Sequence, residues 1–132
     1  MSSRKGPPVV AILNTNDDTV EMLRAMFESE GMVAVSAHVS EIRRGALDFG
    51  SFLNEHDPQV IIVDLPPPYD RSWLMLQHLR TIEAARHRKF VLTSTNPARL
   101  AQIAEPDQPV LEIIGKPYDL RNIVEAVRQA IG

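Results

Sequence analysis

Cysteine is absent from the 132-residue chain, which excludes disulfides, thiolate chemistry and every cysteine-ligated metal. An excess of basic charge is missing too: 14 Lys and Arg stand against 17 Asp and Glu, a net charge of −3. The basic residues are scattered apart from Arg43-Arg44 and the run from Arg86 to Lys89, so direct nucleic-acid binding is not expected. No apolar stretch approaches the roughly 20 residues of a membrane-spanning helix. The run from Val9 to Leu13, after a positively charged start, is too short for the core of a secretion signal. A cytoplasmic protein without membrane attachment is the expectation. None of the 6 glycines falls in a G-x-G-x-x-G or Walker pattern, which argues against a dinucleotide or nucleoside-triphosphate enzyme. His38, His56, His78 and His87 show no ligand spacing.

What is present is a set of short apolar runs separated by helical patterns. Hydrophobic residues make up 44% of the chain and charged residues 23%, an ordinary balance for one globular domain with a real core. Residues 1–8 read as an N-terminal tail and 9–132 as the domain. The run Val60 to Val63 is wholly β-branched and reads as a strand buried on both faces. It closes on Asp64, followed by Pro66-Pro67-Pro68. An acidic residue at the C-terminal end of a central parallel strand faces the crevice where open α/β sheets bind ligands, so Asp64 is the first candidate for chemistry.

The rest of the chain supplies the frame. Val9 to Leu13 forms a strand and Asn14-Thr15-Asn16 a turn. Asp17 and Asp18 are the expected caps of a first helix, with Asp18 and Glu21 spaced as a capping box and Gly31 as its stop. Met32 to Val39 alternates as a half-buried strand, and a helix from Ser40 through Leu53 carries Gly45 and Gly50. Ser72 is the expected cap of a third helix bearing Trp73, Leu76, Leu79 and Ile82. Phe90 to Thr93 is strand four, Asn96-Pro97 opens a short helix, 105–109 is a loop, and Val110 to Ile114 is strand five. Asp119 caps a last helix with the stripe Leu120, Ile123, Val124, Val127 and Ile131. Five strands alternating with five helices require, through right-handed crossovers, a doubly wound parallel sheet, with the order 2-1-3-4-5 expected. Asn14, Thr15, Asp64, Thr93 and Lys116 then end strands on one edge.

These residues resemble the receiver domain of two-component response regulators from about Val9 to Ile131. Asp64 with Pro68 is similar to that family's phosphoacceptor and following proline, Thr93 in the segment Val91 to Ser94 to its switch hydroxyl, and Lys116-Pro117 to its lysine before a cis proline. The resemblance implies a flavodoxin-like (βα)5 fold and a phosphoacceptor on Asp64, with Thr93 and Lys116 contacting the phosphoryl oxygens. It also implies a Mg²⁺ site of Asp64 with the two positions that end strand one, here Asn14 and Thr15. An amide and a hydroxyl in place of two carboxylates remove about two units of attracting charge, so weak Mg²⁺ binding is expected and no other cofactor. A shifted register would instead make Asp17-Asp18 the metal pair. Ile113 takes the family's aromatic switch position, and Tyr69 stands where relatives carry a small residue.

The function expected from the resemblance is an atypical single-domain receiver in phosphorelay signalling. It is no enzyme beyond slow self-catalysed phosphotransfer. A histidine kinase or phosphotransfer protein is the expected donor, and a downstream protein is met through strand five and the last helix; a homodimer is compatible with the chain. The alternative is a pseudo-receiver, a protein-binding module independent of phosphorylation, which Asn14, Thr15 and Ile113 favour. A flavodoxin-like cofactor binder shares the strand order, but the loop after strand one lacks the Ser, Thr and Gly density of a phosphate cradle. Pro66-Pro67-Pro68-Tyr69 matches a polyproline ligand pattern, in a loop poorly placed to lie in a groove.

Overall fold

The structure is a computed structural model that describes residues 6–14, 16–94, 96–103, 113–115 and 120–131. Five strands, β1 (Val9–Asn14), β2 (Val33–His38), β3 (Val60–Asp64), β4 (Lys89–Ser94) and β5 (Ile113–Gly115), form one sheet. Its order is β2-β1-β3-β4-β5 and every neighbouring pair is parallel. The apolar runs dictate this outcome. β3 is buried at all five positions, and only a strand covered by helices on both faces can bury every side chain.

Alternate residues serve opposite layers. Ala11, Leu13, Ile61, Val63, Phe90 and Leu92 face one core, and Val10, Ile12, Val60, Ile62 and Val91 the other. Onto the second core pack α1 (Asp17–Ser29), through Val20, Leu23 and Phe27, and α6 (Leu120–Ile131), through Ile123, Val124 and Val127. An ion pair between Arg128 and Glu30 joins the end of α6 to the turn after α1. Onto the first core pack α3 (Phe49–His56), α4 (Tyr69–Thr81) and α5 (Pro97–Ile103), with Phe52, Leu53, Trp73, Leu76, Leu79 and Leu100 buried. Each fully buried Leu or Ile stabilises the fold by about 1.5–3 kcal/mol relative to an exposed one.

Several expected boundaries move. The helix from Ser40 through Leu53 is two, α2 (Val39–Arg43) and α3. Gly45, at φ 76°, turns the chain between them, and the amides of Ala46 and Leu47 both donate to the Glu41 carbonyl. α1 is capped by Asn16, whose Oδ1 accepts from the Thr19 amide at 3.0 Å. Asp17 and Asp18 fall in the first turn, where their charge meets the free amides without capping them. α4 starts at Tyr69, three residues before Ser72, because the extended Pro68 leads directly into it. Ser72 is buried inside the helix, and its hydroxyl donates back to the Pro66 carbonyl at 2.5 Å. Tyr69 packs against the core at this point, so the proline-tyrosine segment is part of the fold. Residues 110–112 of the expected fifth strand, Asp119 and the loop 105–109 lie outside the described residues.

β2 is an edge of the sheet, and Arg24 covers it. From α1 its guanidinium donates to the Ala34 carbonyl at 2.8 Å and to the Ser36 hydroxyl at 2.9 Å. At the opposite end of the sheet from Asp64, Arg88 is a clasp. Its side chain, 14% exposed, donates to the carbonyls of Ala84, Pro58 and Leu53 and to the Asp57 carboxylate at 2.8 Å. Asp57, a non-glycine residue at positive φ, 49°, ends α3. The clasp therefore fixes the turn that delivers the chain into β3.

Candidate functional site

The site is built at the C-terminal ends of β1, β3 and β4. Asp64 and Thr93 are directly opposite each other in the β3–β4 register. The Thr93 hydroxyl donates to Asp64 Oδ1 at 3.0 Å. Both are deeply buried, with 4% of Asp64 and 1% of Thr93 exposed. The Leu65 amide continues the ladder onto the Thr93 carbonyl at 2.9 Å, which holds the two strand ends in step. Asn14, also 4% exposed, ends β1 one position beyond the pair Leu13 and Val63.

The two strand ends that flank β3 leave the sheet by the same turn. Asn14 Oδ1 accepts from the Asn16 amide at 2.9 Å, and Asn16 then caps α1. Ser94 Oγ accepts from the Asn96 amide at 3.1 Å, and Asn96 Oδ1 accepts from the Arg99 amide at 3.0 Å. The near-repeat of Asn14-Thr15-Asn16 in Ser94-Thr95-Asn96 carries this signal in the sequence. Small polar side chains that bond the backbone two residues on form such turns, and asparagine then serves as an N-cap.

Of the remaining expected residues, Thr15, Lys116 and Pro117 lie outside the described residues. In β5, Gly115 stands opposite Ser94 and Ile114 opposite Thr93. Ile113 opens β5 opposite Leu92. The cis peptide among the described residues is Pro67–Pro68, in the loop directly after Asp64.

The donor set suits a divalent cation poorly. Mg²⁺ takes hard oxygen ligands and is bound best where carboxylates gather. Here Asp64 supplies one, and one lone pair of the Asn14 amide oxygen is engaged by the Asn16 amide. Among the described residues no group of three or more His, Asp or Glu gathers to hold a metal. Asp17 and Asn14 line a cavity of about 250 Å³ together with Ser36, His38 and Glu41. The helix register places Asp17 after the cap, so it does not end β1.

No protein-family model matches the sequence, and no curated protein matches it. Solved structures match along almost the whole chain. A response regulator receiver protein from Pseudomonas putida is 20% identical, with a TM-score of 0.73 over 96% of this chain and 99% of that one. The fold is that of a receiver domain. The chemotaxis protein CheY4 of Vibrio cholerae shares the receiver fold at 11% identity and a TM-score of 0.72, over 95% of this chain and 99% of its own. HP1043, an orphan response regulator of H. pylori, does so at 12% identity and a TM-score of 0.72, over 98% of this chain and 100% of its own. Among the described residues of this receiver fold no helix is long and apolar enough to cross a membrane.

Proposed function

We propose that the chain is an atypical receiver in two-component signalling, with Asp64 as the acceptor of a phosphoryl group from a histidine kinase or phosphotransfer protein. The observation that carries this reading is the buried pair of Asp64 and Thr93 at the ends of adjacent central strands. In the transfer, a carboxylate oxygen of Asp64 forms the new bond to phosphorus as the bond from phosphorus to the donor breaks, leaving an acyl phosphate. The Thr93 hydroxyl, already aimed at Asp64, can turn its proton to a phosphoryl oxygen, and the reading gives the neutralising charge to Lys116. The chain is an acceptor that any small phosphodonor labels slowly, with Mg²⁺ bound weakly. Its downstream contact is a protein that meets the exposed side of α6, at Arg121, Asn122 and Glu125, together with β5.

A second reading has one observation in its favour. Asn14 ends β1 with an amide whose oxygen already serves a turn, and a site short of carboxylates fits a module that binds partners without being phosphorylated. Intact-mass measurement after incubation with acetyl phosphate and Mg²⁺ separates the two. The receiver reading expects the mass of one phosphoryl group to appear and to be lost in Asp64→Asn. An unlabelled chain that still binds its partner would replace it with the second reading.

A further inference from the structure

The other end of the sheet carries a larger concavity, of about 910 Å³, between the C-terminal ends of α3 and α6 and across the starts of β3 and β4. Nothing in the receiver reading uses it. Its volume lies in the range of small-molecule sites. Arg88, with the contacts described above, makes one wall rigid, so the concavity is held open by the fold itself.

Three features of the lining are chemically distinct. Arg86, His87 and Lys89 are exposed around it. Gln59, at the start of β3, lines it as well, and its Oε1 is buried without a hydrogen-bond partner. A buried acceptor left unpaired is costly, so a rotation of the Gln59 side chain that brings its amide out to an N–H donor in the groove is favourable. The third feature is a small apolar shelf from Ala84 and the end of α6 at Ala130 and Ile131. Cationic rim, amide and shelf together ask for an anion joined to a flat, partly apolar body with N–H groups on its edge.

We propose that this groove binds a nucleoside monophosphate. The phosphate sits against Arg86 and Lys89, whose charge-assisted hydrogen bonds are the strong ones available. The base lies on the apolar shelf with its edge to Gln59. The Glu83 carboxylate on the same rim accepts from ribose hydroxyls and, by like-charge repulsion, disfavours longer phosphate chains. An acidic peptide is the poorer fit, because the groove offers no sheet edge for its backbone and Glu83 repels a row of carboxylates.

Calorimetric titration of the full chain with adenosine and guanosine monophosphate tests this, with inorganic phosphate and a polyglutamate peptide as comparisons. Saturable binding of at least one nucleotide with a Kd below about 1 mM is expected, and Asp64→Asn should leave it unchanged. Arg86→Glu with Lys89→Glu, two exposed positions, should weaken it about tenfold or more. Gln59→Leu should remove the preference for nucleotide over inorganic phosphate while leaving phosphate binding intact. The proposal is overturned by the absence of saturable nucleotide binding, by equal affinity for inorganic phosphate, by tighter binding of the peptide, or by nucleotide binding that survives the charge reversal.

Discussion

Thr93 spends its hydroxyl proton on Asp64, across the β3–β4 register, in a site that water barely reaches. A hydrogen bond to a charged acceptor in such a place contributes about 1.5–3 kcal/mol. A cycle of Thr93→Val, Asp64→Asn and the double variant, measured by urea unfolding, should return a coupling energy of that size. Coupling near zero would mean that the pair is held together by the strands and contributes nothing of its own.

Restoring one carboxylate at the end of β1 should exchange stability for metal binding. Asn14→Asp keeps the acceptor that the Asn16 amide needs, so the turn survives. The new charge repels Asp64, at a cost on the order of 2 kcal/mol, and the metal-free variant should melt earlier than the unmodified chain. Mg²⁺ should then stabilise the variant more than the parent, because the site has gained a hard anionic ligand. Melting curves with and without Mg²⁺ give both numbers, and a parent that gains as much from Mg²⁺ as the variant would contradict the weak site argued above.

Arg88→Lys should be costly although charge is conserved. One ammonium cannot reach the four acceptors that the guanidinium fork holds, and two or three partly buried carbonyls lose their donor. A loss of about 2–4 kcal/mol in urea unfolding is expected, with amide exchange rising first around Asp57 and Gln59. Loss below that of an ordinary surface substitution would show that water replaces the clasp.

Arg24→Ala should leave the core intact and change self-association. The Ala34 carbonyl on the outer side of β2 loses the guanidinium that covers it, and an uncovered edge is a template for another strand. Light scattering across a concentration series should show more association than the parent chain, with little change in melting temperature.

The strands and their order were legible because apolar runs of four or five residues bounded by turn chemistry have few alternatives, and the chirality of crossovers then fixes the sheet. Asp64 and Thr93 followed as strand ends, and the sheet brings them together. Helix starts were harder. Ser72 is an excellent cap by type, but Pro68 had already set the backbone for α4 three residues earlier. Gly45 and Gly50 looked equivalent, yet only Gly45 takes a positive φ, while Gly50 lies within α3. Arg88 was lost in a short basic run, since the acceptors that define it, Asp57 and Leu53, are 31 and 35 residues away in sequence.

The turn at the end of β1 asks only for a side-chain oxygen that can accept the Asn16 amide, and it is indifferent to whether that oxygen is charged. Asparagine meets the demand as well as aspartate does. Geometry and chemistry at this position are therefore separable in a single substitution: the charge can be dropped while the hydrogen bond from the Asn16 amide stays in place. A fold built this way lets the charge beside the acceptor vary while the strand that carries it keeps its place.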